Sequence, residues 1–293
     1  MNKFIVCCHG WSSSNWLAYA LTSLPNIVAS HSAKNVVGEE MKEQSLDNLR
    51  RTIQLYHQGY EKRDRRTIEE MFHEIPITSQ TLAVGSVHVY RLRDLKTVSF
   101  EDHDLVITNY VRNPIDLVWS GYGQLQDLFL FDINELWHTT GKVLDHGKEY
   151  VYDLANRHKL DIGNYEVLAF LGACAIMAGL KLDFDCAEEK SKELSKKSFQ
   201  HFKMEELTTN ADALKRFIKL ISRNEISITE SQANDILVRG ALNKHRHDTI
   251  PIRGEDRFMM FKDWQKEAFC YFLNKFNLKH EYEGLGYDLS CIH

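Results

Sequence analysis

Leu105-Val106-Ile107-Thr108-Asn109-Tyr110-Val111 runs without a break into Arg112-Asn113-Pro114-Ile115-Asp116-Leu117-Val118-Trp119-Ser120. The first part is an apolar run of strand length, which predicts a buried β-strand. Pro114 suits the first position of a helix and Asn113 its N-cap, because a helix start leaves that N–H unbonded anyway. Ile115, Val118, Tyr122 and Leu125 then continue at helical spacing. An arginine at a strand's end, a helix start and a serine two turns in could together hold a phosphate at the edge of a parallel sheet.

A second strand, loop and helix open the chain. Phe4 to Cys8 (FIVCC) predicts a fully buried strand and His9 to Ser14 a polar turn. Asn15 to Leu24 carries Leu17, Ala20, Leu21 and Leu24 at helical spacing. Asn26 to Ser30 and Leu82 to Tyr90 predict further strands. From Glu39 to Ile75 the chain is charged and helical, with one apolar stripe through Leu46, Leu49, Ile53, Tyr56 and Tyr60. Ile68, Met71, Phe72 and Ile75 form another stripe. Asp127 to Leu180 is mostly helical by pattern, and Thr229 with Gln232 forms a capping box before Ile236. A polar loop, Asn243 to Asp256, precedes a last helix over Asp263 to Phe276. Short strands separated by helices predict an α/β fold, a central parallel β-sheet flanked by helices. With no repeat or low-complexity linker, a single domain over residues 1–293 is expected. Ligands of such sheets bind beyond the C-terminal ends of the strands, where Arg112 and the serine loop should both lie.

Composition bounds the function. The chain is 43% hydrophobic and 26% charged with a net charge of −5, which points to a soluble globular protein and to no nucleic-acid or membrane partner. An anion site must therefore be a local arrangement. Cys7, Cys8, Cys174, Cys186, Cys270 and Cys291 show no CxxC or His/Cys metal spacing, so buried thiols and no metal are expected. His245 and His247 (NKHRHD) bring no third ligand, which favours a solvated or cofactor-closing loop. The chain enters a strand almost at once, and its longest apolar stretch, Tyr165 to Leu180, is shorter than the ~20 residues of a membrane span. A cytoplasmic location is expected. Pro25, Pro76, Pro114 and Pro251 all fall at predicted element edges.

His9-Gly10-Trp11-Ser12-Ser13-Ser14-Asn15-Trp16 places three serines between a strand and a helix. Unbonded N–H groups at a helix start carry partial positive charge and bind phosphate oxygens, and serine hydroxyls add donors. The alternative is that the serines merely cap the helix. The loop lacks GxxxxGK[ST], so nucleotide binding in the Walker manner is not supported. For Arg112 the alternative is a surface salt bridge, and for Ser120 a helix position facing solvent.

Taken together, the motifs resemble the PAPS-dependent sulfotransferase family, with its P-loop-NTPase-like fold. RNPIDLVWSGY is similar to the family's 3′-phosphate motif RNPxDxxxSxY, with Arg112 and Ser120 at its phosphate ligands. HGWSSSNWL is similar to the 5′-phosphosulfate loop, whose usual form is a basic residue followed by SGTTWL. The resemblance implies that Ser12, Ser13, Ser14 and Asn15 cradle the 5′-phosphosulfate and that Trp16 packs near adenine. Phe202 to Phe217 is similar to the family's strand-turn-helix YEDL segment, with Met204 in place of the tyrosine. Ile252 to Trp264 resembles a stretched RKGxxGDW segment, which puts Arg253 and Gly254 at the 3′-phosphate and Trp264 on the closing helix. Trp11 stands where the family's loop has its basic residue. His9, Lys34, Lys244 and Arg246 are the candidates to supply that charge. Losing one such donor typically removes ~2.7–4 kcal/mol of transition-state stabilisation.

The function implied is transfer of a sulfuryl group from 3′-phosphoadenosine 5′-phosphosulfate (PAPS) to a hydroxyl or amine of a small-molecule or saccharide acceptor. The other readings are a weak or inactive PAPS- or PAP-binding protein and a nucleotide or small-molecule kinase. Sulfuryl transfer needs a base for the acceptor's proton. The family often places a histidine at the end of the strand before the RNP strand, where His88 stands. Imidazole suits proton abstraction near neutral pH. His31, Glu39 and Glu40 are rivals. Replacing His88 by alanine is expected to abolish sulfuryl transfer and spare nucleotide binding. Normal turnover by that variant, measured with labelled PAPS, would remove His88 from the reaction.

Overall fold

β1 (Asn2–Cys8) is central because both of its faces are apolar. Phe4, Val6 and Cys8 join one buried cluster while Ile5 and Cys7 join another. Alternate residues of a strand point to opposite faces, so the split marks a sheet covered on both sides. β5 (Leu105–Val111) divides likewise, with Val106 and Tyr110 on the first face and Leu105 and Ile107 on the second. The computed structural model describes residues 1–8, 11–31, 34–35, 72, 75, 77–87, 105–128, 134, 147–195, 199–238 and 253–292.

The sheet runs β3-β2-β4-β1-β5-β6, with β2 (Ile27–His31), β3 (Lys34–Asn35), β4 (Ala83–Val87) and β6 (Gln200–Lys203). Every pairing is parallel except that of β2 with β3, so five strands form the expected parallel sheet. The strands expected at Phe4–Cys8, Asn26–Ser30, Leu82–Tyr90 and Leu105–Val111 are found, with 88–90 outside the described residues. β6 enters the strand-turn-helix segment as its strand, and Thr108 Oγ1 donates to the Gln200 carbonyl at 2.7 Å to tie it to β5.

The described residues fall into two compact units, Met1–Val111 with Leu182–Asn243, and Arg112–Lys181 with Lys244–His293. The first unit holds the sheet. α1 (Ser14–Thr22) covers its first face with Trp16, Leu17 and Leu21. α5 (Met204–Leu207), α6 (Ala211–Ile221) and α7 (Glu230–Val238) add Leu207, Phe217 and Ile236 to the same cluster. Asn210 caps α6 by accepting from the Asp212 and Ala213 N–H groups at 2.8 and 3.1 Å. The capping box before α7 is present, with Thr229 N–H donating to Gln232 Oε1 at 2.9 Å and Gln232 N–H to Thr229 Oγ1 at 3.2 Å.

The second unit contains α2 (Pro114–Leu128), α3 (Gly147–His158), the start of α4 (Tyr165–Ser195), α8 (Glu255–Met259), α9 (Asp263–Lys275) and α10 (Leu278–Gly284). Aromatic rings fill it: Trp119 stacks on Phe261 at 5.8 Å, and Phe170 meets Trp264 edge-on at 5.3 Å. The apolar run at Tyr165–Leu180 is the first half of a 31-residue helix. No helix among the described residues is long and apolar enough to cross a membrane. Two expectations need correction. Glu255 and Asp256, expected in the loop predicted over Asn243 to Asp256, begin a helix instead, because acidic residues favour a helix's first turn; 243–252 lie outside the described residues. The helix predicted to be last is followed by α10, whose short apolar set, Leu278 and Tyr282, carries too little periodicity to stand out. The stripes expected over Glu39 to Ile75 lie outside the described residues apart from Phe72 and Ile75, both buried against the sheet's second face.

Gly85 shows how tightly β1 and β4 pack. It is the register partner of Phe4, and a methyl group at Gly85 would overlap the Phe4 ring. Gly85→Ala is expected to lower stability by about 1–3 kcal/mol. Urea unfolding checks this: the midpoint should fall with the slope unchanged.

Candidate functional site

The pairing of β1 with β5 runs in register from Lys3↔Leu105 to Cys8↔Tyr110. Parallel neighbours end on the same edge, so the serine loop and the Arg112 segment leave the sheet from adjacent strands. Of the loop, His9 and Gly10 lie outside the described residues.

The backbone of the loop is left-handed twice. Trp11 has φ 69° and Ser13 has φ 57° with ψ 29°. Left-handed backbone costs a non-glycine residue about 1–2 kcal/mol, and Ser13 stands where the family pattern SGTTWL has glycine. Ser13 is the N-cap of α1, yet its side chain makes no capping bond. The reading of the serines as ordinary side-chain caps therefore does not hold at the capping position. The first intrahelical bond runs from Leu17 N–H to the Ser13 carbonyl at 3.1 Å. Ser14, Asn15 and Trp16 occupy the first turn, so their N–H groups have no carbonyl one turn back within the helix. Left-handed residues before a helix start turn such N–H groups into a concave anion cradle.

The other side chains of the loop divide. Ser12 is fully buried, and Trp11 is half-buried. Trp16 lies in the apolar cluster under the sheet's first face. Ser14 is buried, and its Oγ lies 3.0 Å from His31 Nε2 at the end of β2. That pair escaped the sequence reading, since Ser14 and His31 are joined only by the parallel order of the strands. His88, Glu39, Glu40, Lys244, Arg246, His245 and His247 lie outside the described residues, as does the side chain of Lys34.

In the second unit the expected start of α2 is present. Asn113 Oδ1 accepts from the Ile115 N–H at 2.9 Å and the Asn113 carbonyl from the Leu117 N–H at 2.9 Å. Arg112, partly buried, immediately precedes this cap. Ser120 is 9% exposed, which excludes the solvent-facing reading. Asn113, Asp116 and Ser120 share one face of α2, being three and four residues apart. Tyr122, the last position of the RNPxDxxxSxY pattern, is half-buried. Burial, with Glu166 and Tyr165 nearby, pushes its hydroxyl up to about 12, so it stays a neutral donor at physiological pH.

The C-terminal segment meets this face. Gly254, with φ 58° and ψ −125°, is the N-cap of α8, and its N–H donates to Asp116 Oδ1 at 3.3 Å. A Cβ there would stand 3.8 Å from Asn113 Nδ2. Arg257 Nη1 donates to the same Asp116 oxygen at 2.8 Å, and its guanidinium lies 6.0 Å over the Trp119 ring. Thus the exposed Arg253 is carried beside the start of α2. Asp116 and Arg257 are the residues the sequence reading passed over. Asp116 was visible as the motif's aspartate, but its partner lies 141 residues away. No cluster of metal-ligating side chains occurs among the described residues.

A solved sulfotransferase from Alicyclobacillus acidocaldarius matches this chain with a TM-score of 0.50 at 12% sequence identity, covering 99% of this chain and 98% of that one. The chain has a sulfotransferase-like α/β fold. At that identity the likeness speaks for the fold alone. No protein-family model and no curated protein matches the sequence.

The two strained backbone positions give opposite expectations. Ser13→Gly should raise stability by about 1 kcal/mol, because glycine adopts the left-handed region freely. Gly254→Ala should lower it by about 1–3 kcal/mol, since its backbone region is nearly closed to side chains. Thermal unfolding of the two variants checks both signs.

Proposed function

We propose that this protein is a sulfotransferase that moves a sulfuryl group from PAPS to a hydroxyl or amine of a small-molecule or saccharide acceptor. The observation that carries the reading is the β1–α1 loop. Its left-handed turns and uncapped first-turn N–H groups leave the sheet beside the strand that delivers Arg112. The N–H groups of Ser14, Asn15 and Trp16, with the serine hydroxyls, bind the 5′-phosphosulfate in this reading. Arg112, Ser120, Arg253 and the Gly254 segment take the 3′-phosphate. The acceptor oxygen attacks sulfur as the bond from sulfur to the 5′-phosphate oxygen breaks. PAP leaves with the bonding pair, and a base on the chain takes the acceptor's proton. His88 is proposed for that base, with His31, Glu39 and Glu40 as alternatives. In this reading a nucleotide bound at both of its phosphate ends would fix the direction of attack.

One observation favours a second reading. Trp11, not a lysine or arginine, occupies the loop's basic position. Unless His9, Lys34, Lys244 or Arg246 supplies the charge, turnover falls by about 10²–10³. The protein would then act as a PAPS- or PAP-binding protein with weak transfer.

Calorimetry with PAP and AMP tests the nucleotide. A charge-assisted contact to phosphate contributes ~1.5–3 kcal/mol, so PAP should bind about 10- to 100-fold tighter than AMP. Arg112→Ala should lower that ratio about tenfold or more and leave AMP affinity within about threefold. Equal affinity of the unaltered protein for PAP and AMP would overturn the assignment. Transfer of labelled sulfate from PAPS to a panel of alcohols, phenols and saccharides then separates enzyme from binder.

A further inference from the structure

Asp116 presents a chemical problem within the proposed 3′-phosphate segment. Its carboxylate lies on the same face of α2 as Ser120, about 6 Å away along the helix axis. A negative charge at that spacing opposes an anion, and in a partly buried setting one such charge is worth a tenfold to hundredfold loss of affinity. Yet Asp116 is 4% exposed and held by the arrangement that brings the C-terminal segment in. Arg257 Nη1 lies 2.8 Å from its Oδ1, and the Gly254 N–H donates to that oxygen at 3.3 Å. Arg257 is itself 7% exposed. It packs over Trp119, which stacks on Phe261. The arginine is therefore positioned by an aromatic wall and paired with Asp116, and Arg253 is the exposed arginine of the segment.

Resting on the sulfotransferase reading, we propose that the Asp116–Arg257 pair is the positioning device that makes this site selective for a 3′-phosphorylated nucleotide. Asp116 pins the backbone of Gly254 against the start of α2 and so sets Arg253 beside that helix start. Arg257 cancels the charge that Asp116 would otherwise turn against the phosphate. Neither residue touches the nucleotide. The two roles are separable because asparagine keeps the acceptor oxygen and removes the charge.

Calorimetry of PAP and AMP binding to four proteins tests this: the unaltered chain, Arg257→Met, Asp116→Asn and the double variant. Arg257→Met removes the guanidinium that offsets the Asp116 charge, so PAP affinity should fall about 10- to 100-fold while AMP affinity stays within about threefold. Asp116→Asn should keep the PAP/AMP ratio or raise it. The double variant should recover at least tenfold of the PAP affinity lost in Arg257→Met. A purely structural role would weaken both nucleotides alike and would make the double variant no better than the single. Either result overturns the proposal, as does an unchanged PAP/AMP ratio in Arg257→Met. If Arg257→Met does not fold, Asp116→Asn decides: a lowered PAP/AMP ratio in that variant sinks the charge-cancelling role. A chain that prefers PAP before mutation but is indifferent to these changes leaves the sulfotransferase reading standing. A chain with no PAP preference at all removes that reading first.

Discussion

The parallel pairing of β1 with β5 is the constraint on which the rest depends. Both strands are buried on both faces, so every backbone N–H and C=O in them must be bonded to a neighbouring strand. Apolar runs alone could slide against one another, but a slip of one residue would exchange the two clusters that cover the sheet. The register therefore holds Cys8 opposite Tyr110, and both chains leave the sheet at one edge. Everything proposed about an anion begins at those two exits.

The two exits offer positive charge in different ways. After β1 the chain uses no cation among its described loop residues. It uses backbone, bent through two left-handed residues into the first turn of α1. After β5 it uses side chains, with Arg112 ahead of a helix whose cap is the Asn113 carboxamide. The first arrangement stores strain that the folded sheet must overcome. The second carries a buried carboxylate, one oxygen of which is met by both Arg257 and the Gly254 N–H. A buried charge with one partner removed is destabilising, so the charges of Asp116 and Arg257 are coupled.

Much of this was legible in the chain itself. The strands at Phe4–Cys8 and Leu105–Val111 were plain because each is a short run dominated by apolar, β-branched and aromatic residues, and a strand buried on both faces needs such a run. Asn113 and Pro114 marked a helix start through the local chemistry of one unbonded N–H. Thr229 and Gln232 did so through a reciprocal pair of hydrogen bonds. Less was legible where the signal was short or charged. α8 begins inside what reads as a polar loop, and α10 is too brief for its period to rise above the background.

Sequence alone determined the central strands, several helix starts and the residue types that can hold an anion, because helix caps, strand runs and serine or arginine chemistry act over a few neighbouring residues. Tertiary structure alone decided who meets whom. Strand order brought Ser14 to His31, and helix packing brought Arg257 and Gly254 to one oxygen of Asp116. Those contacts join residues far apart in the chain, and no local preference encodes them. They exist because burying apolar surface on both faces of the sheet and around the aromatic rings leaves few arrangements in which buried charges and backbone groups are also met by partners.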